Sequence, residues 1–393
     1  NLMYQLLTFV TPLITTPYLS RVLGAEKTGI YSYSYSIAYY FVLFAMLGLN
    51  NYGNREIARV KDNKQKRSIT FWSIYFLQLI TGTISTIVYI IICLTCYNNT
   101  ISWLMLFYVL SGAVDINWFF WGMEEFKITV TRSIVIKLAS VIGIVLLVKS
   151  TNDVWIYALL MAGSMLASPI VLWPYLKSRI LWIKPSLHQV LSHLKPNLIL
   201  FIPVIAVSLY KVMDKILLGW LTTYIEVGYF EYSERVIAIP TSMVNALGTV
   251  MLPRMSNLVA RNDVEQEHRM IKNSIIFGTG MASAMSFGLM GIADIFVPFF
   301  YGSGYMKCVT LFYILLPSSI FISAANIIRT QYLIPHRMDK QFVISVALGA
   351  IINLTVNIFL IPVYQSVGAA VGTLMAEATV CIYQFVCIRK MLP

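Results

Sequence analysis

The sequence predicts an all-α polytopic membrane protein, with about twelve transmembrane helices in two six-helix lobes. Three observations carry this. Of 393 residues, 58% are hydrophobic and 12% charged, with a mean hydropathy of +0.73; a soluble domain carries about 25% charged residues. Apolar stretches of membrane-crossing length follow one another along the whole chain. Two motifs from the first half return in the second at a constant spacing.

Apolar windows of about 19 residues place spans at 2–20, 30–49, 69–94, 101–122, 133–149, 154–175, 197–220, 226–252, 274–297, 309–334, 342–362 and 366–388. The first pair is joined by "RVLGAEKTG", the next by "NREIARVKDNKQKR", and then come "CYNNT", "EEFKITVTR" and "KSTNDV". "LKSRILWIKPSLHQVLSHLK" leads into the seventh span, and "LTTYIEV", "PRMSNLVARNDVEQEHRMIKN", "YGSGYMKC", "PHRMDK" and "PVYQSVG" separate the rest. The chain closes with "IRKMLP". Every second loop is basic. Of the 29 Lys and Arg, 20 fall on one side, 4 on the other and 5 inside spans. Excess Lys and Arg mark the cytoplasmic face, so both termini of this multi-pass protein are expected there. The chain opens inside an apolar run, with no cleavable signal peptide, which predicts a short basic segment ahead of it.

The net charge of +12 is thus a topology signal that also favours anionic lipid headgroups. No basic surface outside the membrane is large enough for nucleic acid. "CLTC" (Cys93, Cys96) sits at the end of a span, away from all four histidines, and no zinc site assembles from it. No metal site or cofactor is expected. The sequence holds no GxxxxGK[ST], GxSxG or HExxH, and the loops on the less basic side are short. These features favour moving a substrate over transforming one, so no enzyme is expected.

"SRVLGAEKTGIYSYS" (from Ser20) is echoed by "DKILLGWLTTYIEVGYFEYS" (from Asp214), with Gly29 and Gly228 spaced by 199 residues. "GLNNYGNREIARVKD" from Gly48 is echoed by "GTVMLPRMSNLVARND" from Gly248. A duplication follows, with an N-terminal lobe at 1–175, a cytoplasmic linker at 176–196 and a C-terminal lobe at 197–393. Six is even, so the halves keep one orientation, as in transporters with parallel repeats and a substrate path between halves. Pro12, Pro17, Pro203 and Pro240 fall inside spans and predict kinks.

"PLITTPYLSRVLGAEKTGIYSYS", "GLNNYGNREIARVKDNKQKR", "DINWFFWGMEEFKITVTRS" and "YKVMDKILLGWLTTYIEVGYF" together resemble the bacterial polysaccharide-biosynthesis flippases, the Wzx-type oligosaccharide flippases of the multidrug/oligosaccharidyl-lipid/polysaccharide exporter superfamily. The likeness runs from Pro12 to about Ala260 and continues loosely to the last span. It implies a V-shaped, alternating-access bundle around a cationic cavity. It further implies translocation of an undecaprenyl-diphosphate-linked oligosaccharide, coupling to H+ or Na+, and contact with polysaccharide polymerase machinery. Some members carry two further C-terminal spans. Lipid II flippases of the superfamily carry arginines midway along the first span, where "TFVTPLITTP" has no charge. A multidrug or cation antiporter is the alternative within the superfamily, and a membrane enzyme of polysaccharide assembly is the alternative outside it.

Span 7 places Lys211, Asp214 and Lys215 at i, i+3 and i+4, on one helix face. Each ion facing lipid would cost roughly 2.5–3.5 kcal/mol, so that face is expected to look inward. Counted from the turn near Thr223, the charges of span 7 lie at the depths of Glu231, Glu234 and Arg235 in span 8. Three positive and three negative charges can therefore neutralise one another. One reading is a static clasp. The other is a gate in which Lys211, Lys215, Arg235 and Arg21 contact the substrate's anionic groups, with Asp214, Glu231 and Glu234 as exchange partners. Asp115 and Glu377 are candidate ion-coupling carboxylates. Tyr31, Tyr35 and Tyr39 form a one-face stripe suited to sugar stacking, or to an aromatic belt at the membrane interface. The basic loop from Arg55 to Arg67 would gather diphosphate headgroups, or simply obey topology.

Overall fold

A computed structural model describes residues 2–389, leaving aside the side chains of residues 2–9, 210 and 249; the last four residues of the predicted tail lie outside the described residues. Among the described residues there is no strand. Twelve principal helices follow in order: α1 (Leu2–Val22), α2 (Gly24–Met46), α3 (Lys64–Thr95), α4 (Thr100–Gly122), α5 (Phe126–Leu147) and α6 (Val154–Ile170), then α7 (Leu194–Leu221), α8 (Tyr224–Ala260), α9 (Val264–Gly291), α10 (Lys307–Leu333), α11 (Asp339–Tyr364) and α12 (Ser366–Ile388). Eleven stretches among the described residues are long and apolar enough to cross a membrane. The chain is a multi-pass membrane protein.

Helix ends differ from the apolar windows where polar residues extend a helix beyond its apolar part. α2 starts at Gly24, six residues early, because Gly24 adopts φ 76° and turns the chain tightly out of α1. α9 starts at Val264, ten residues early, because Asp263 caps it by accepting from the Gln266 amide at 3.1 Å. Pro12, Pro17, Pro203 and Pro240 all sit inside helices. α4 is broken at Asp115, whose backbone is extended (ψ 115°). The break exposes carbonyls that Gln78 of α3 satisfies, donating to Gly112 at 2.7 Å and to Asp115 at 2.8 Å.

The chain forms two compact units: one of residues up to Tyr18 with Tyr31–Ile205, the other of Leu19–Ile30 with Ala206 onward. In the first, the short helix Leu49–Val60 packs on the "NWFFWG" helix Asn117–Gly122, burying Tyr52 and Ile57 against Trp118, Phe119 and Phe120. Arg179 locks the segment after α6 to this core through Glu125 at 2.6 Å, and Arg67 donates to the Arg179 carbonyl at 3.1 Å. In the second unit, the two repeated glycines pack together: a Cβ on Gly29 would lie 1.7 Å from the Tyr224 carbonyl oxygen, and one on Gly228 would lie 2.0 Å from that of Ala25. Only glycine permits this approach. Beside it, the Thr28 and Tyr232 hydroxyls meet at 2.8 Å.

Candidate functional site

The charges of α7 do meet those of α8. The Lys215 ammonium bridges Glu231 at 2.7 Å and Glu234 at 2.8 Å, and Arg235 Nε donates to Glu231 at 2.9 Å. Helix geometry explains the match: antiparallel neighbours joined by a tight turn hold equal residue counts at equal depth. Lys211, one turn away on the same face, makes no ion pair among the described residues and is exposed.

Asp214 does not join this clasp, contrary to the expectation that it exchanges with the lysines. It is 2% exposed and turns to α11 and α12. Asn357 donates to it at 2.7 Å, the Thr373 hydroxyl at 2.7 Å and Asn353 at 3.4 Å. Asp214 lies about 100° around the helix from Lys215, enough to reach a different neighbour. The two asparagines are spaced i, i+4 on α11, and both are fully buried. Three donors thus converge on the Asp214 carboxylate, which is the acceptor at the centre of this cluster.

Beside both clusters lies a cavity of about 300 Å³ within the second unit, lined by residues of α7, α8, α10, α11 and α12. Lys211, Glu234, Arg329 and Glu377 supply its charged wall, and Asn245, Asn326 and Gln384 supply amides. Glu234 belongs to both clasp and cavity, and Thr373 to both cavity and Asp214 cluster. Arg329 opens a five-residue π-helical turn at the end of α10, and its guanidinium lies 5.6 Å from the Phe342 ring centroid. Such turns widen a helix and are frequent at functional positions.

The remaining candidates are dispersed. Lys215 and Arg235 are engaged in the clasp and do not line the cavity. Arg21 also lies off its wall, exposed, donating to the Phe299 carbonyl at 2.5 Å. Glu377 is 8% exposed and faces the cavity. Asp115 accepts from the Asn117 amide at 2.8 Å and its side chain at 2.6 Å, which holds the α4 break. Tyr31 packs on Tyr157 at 4.5 Å, Tyr35 stacks on Tyr108 at 5.1 Å, and Tyr39 lies 6.4 Å from Tyr35. Much of their ring surface is thus taken by other tyrosines. In the basic loop, Arg59 pairs with Glu56 at 3.0 Å and Lys61 with Glu124 at 3.1 Å.

Sequence reasoning overlooked Asn353, Asn357, Thr373, Asn245 and Asn326. The pair "NLTVN" at helical spacing in an otherwise apolar run was the available sign.

A helical membrane bundle with a charged cavity walled by its own spans defines a transporter-like class of fold. Comparison with known proteins sharpens this. The model of the polysaccharide biosynthesis protein family matches residues 1–259, and the chain belongs to that family. A protein of Escherichia coli K12 named "Putative O-antigen transporter" is 26% identical over 97% of this chain and 93% of its own length. A Shigella dysenteriae protein of the same name is 23% identical over 97% of this chain and 96% of its own. Among solved structures, the lipid II flippase MurJ in an inward closed conformation superposes with a TM-score of 0.76, covering 99% of this chain and 88% of that one at 13% identity. An inward-facing multidrug transporter of the MATE family superposes at 0.70, covering 97% and 94% at 12% identity. These superpositions show that the chain shares the fold of those two structures.

Proposed function

We propose that this protein flips an oligosaccharide repeat carried on undecaprenyl diphosphate from the inner to the outer leaflet of a bacterial cytoplasmic membrane, supplying capsule, O-antigen or a related polymer. The observation that carries the reading is the charged cavity of the second unit, set among membrane-crossing helices and walled by Lys211, Arg329, Glu234 and Glu377. Four ionisable groups inside a bundle are costly, and such groups mark substrate and ion pathways. The family and the names of the two full-length relatives point to the same cargo.

In this reading both termini face the cytoplasm and the two lobes alternate in access. Coupling to H+ or Na+ falls to Asp214, the buried carboxylate at the centre of its cluster, and not to Asp115, which is committed to a helix break. Lys211 is the substrate-facing cation of α7, and Lys215 and Arg235 hold Glu231 and Glu234 in place behind it. The test is to label lipid-linked oligosaccharide from outside in cells lacking the protein. Accumulated but shielded oligosaccharide that returns to the surface on re-expression supports the reading; normal labelling without the protein overturns it.

A further inference from the structure

The lining of the second unit's cavity says which part of such a cargo it fits. Its four charges are balanced, Lys211 and Arg329 against Glu234 and Glu377. A diphosphate entering here would bring two or more negative charges against two carboxylates, with no excess of cations to repay its desolvation. The hydrogen-bonding demand points the same way. Glu377 is 8% exposed and makes no hydrogen bond among the described residues. Phosphate oxygens accept hydrogen bonds; the Glu377 carboxylate needs a ligand that donates them. Sugar hydroxyls do both. Between the polar groups, Ile237, Ile322, Val346 and Val380 add apolar surface to the lining, suited to the C–H groups of a pyranose. The volume of about 300 Å³ lies at the lower end of small-ligand sites and suits one ring, not a chain.

We infer that this cavity is a subsite for a single uncharged sugar residue of the carried glycan, and that the diphosphate is held elsewhere. The inference rests on the flippase reading and deepens it. It assigns Glu377 as a hydrogen-bond acceptor for sugar hydroxyls, with Lys211 and Arg329 as donors.

The test is saturation-transfer NMR on the purified full chain in detergent, with methyl glycosides of glucose, galactose and N-acetylglucosamine as probes and inorganic diphosphate as competitor. Transfer to at least one glycoside is expected, undiminished by diphosphate. Glu377→Ala should weaken it about tenfold, as expected for loss of a hydrogen bond to a charged group. Ala238→Trp, which fills the cavity from an exposed wall position, is the second variant should the first fold poorly. Transfer to none of the probes overturns the inference, as does displacement by diphosphate or unchanged transfer in the filled variant. Leaflet labelling fails separately: a protein that flips its cargo but binds no glycoside loses this inference alone, and one that binds glycoside without altering labelling loses the flippase reading.

Discussion

Asp214 and Asn357 meet across 2.7 Å inside the second unit, 2% and 0% exposed. A carboxylate so enclosed depends on each donor it has. Asn357→Leu removes one and should lower stability by about 1–3 kcal/mol, read as thermal unfolding in detergent. Asp214→Asn keeps the shape and can still pair with its amide neighbours, so it should cost less. Equal melting of Asn357→Leu and the parent would show that the contact contributes nothing.

The clasp makes a prediction of a different form. Lys215→Met takes the ammonium from Glu234 and leaves Glu231 to Arg235, and breaking one side of such a network costs about 3–5 kcal/mol. Combining it with Glu234→Gln removes the charge left over and should restore most of the loss, because residues in one network do not act additively. Additive losses in the combined variant would mean the two side chains act independently.

The crossing of Gly29 and Gly228 leaves no space for a methyl group. Gly228→Ala forces a Cβ to 2.0 Å from the Ala25 carbonyl oxygen, and folded protein in the membrane fraction should fall severely. Gly163→Ala, with nothing within 4 Å of the added atom, is the matched control and should leave the yield unchanged.

Much of this architecture was legible because the bilayer imposes it. Length, apolarity and alternating loop charge located the helices, and the repeat singled out Gly29 and Gly228 as equivalent positions, though not their contact. The Lys215 pairs followed from counting residues either side of a turn, since a tight turn fixes depth. The direction taken by Asp214 did not follow, because residues 211, 214 and 215 share a face only approximately, and a third helix can capture one of them. The cavity was hidden for a related reason. Its amides, Asn245, Asn326 and Gln384, come from separate helices, and no local pattern brings them together.

Asp115 separates a structural role from a coupling one. Asn at 115 can still accept from the Asn117 amide, so Asp115→Asn should keep both protein level and surface polymer within about twofold of the parent, as expected when a capping Asp is exchanged for Asn. Asp115→Leu should lose the protein itself. Abolished translocation in a normally abundant Asp115→Asn protein would return Asp115 to the coupling pathway.

The account rests most heavily on Lys211, the clasp-free lysine on the cavity wall. The decisive measurement is outer-leaflet labelling of the lipid-linked oligosaccharide in cells whose only copy carries Lys211→Glu, with membrane protein quantified alongside. The account predicts normal protein abundance and oligosaccharide that accumulates shielded from the probe. Labelling equal to that of the parent, at equal abundance, would contradict it.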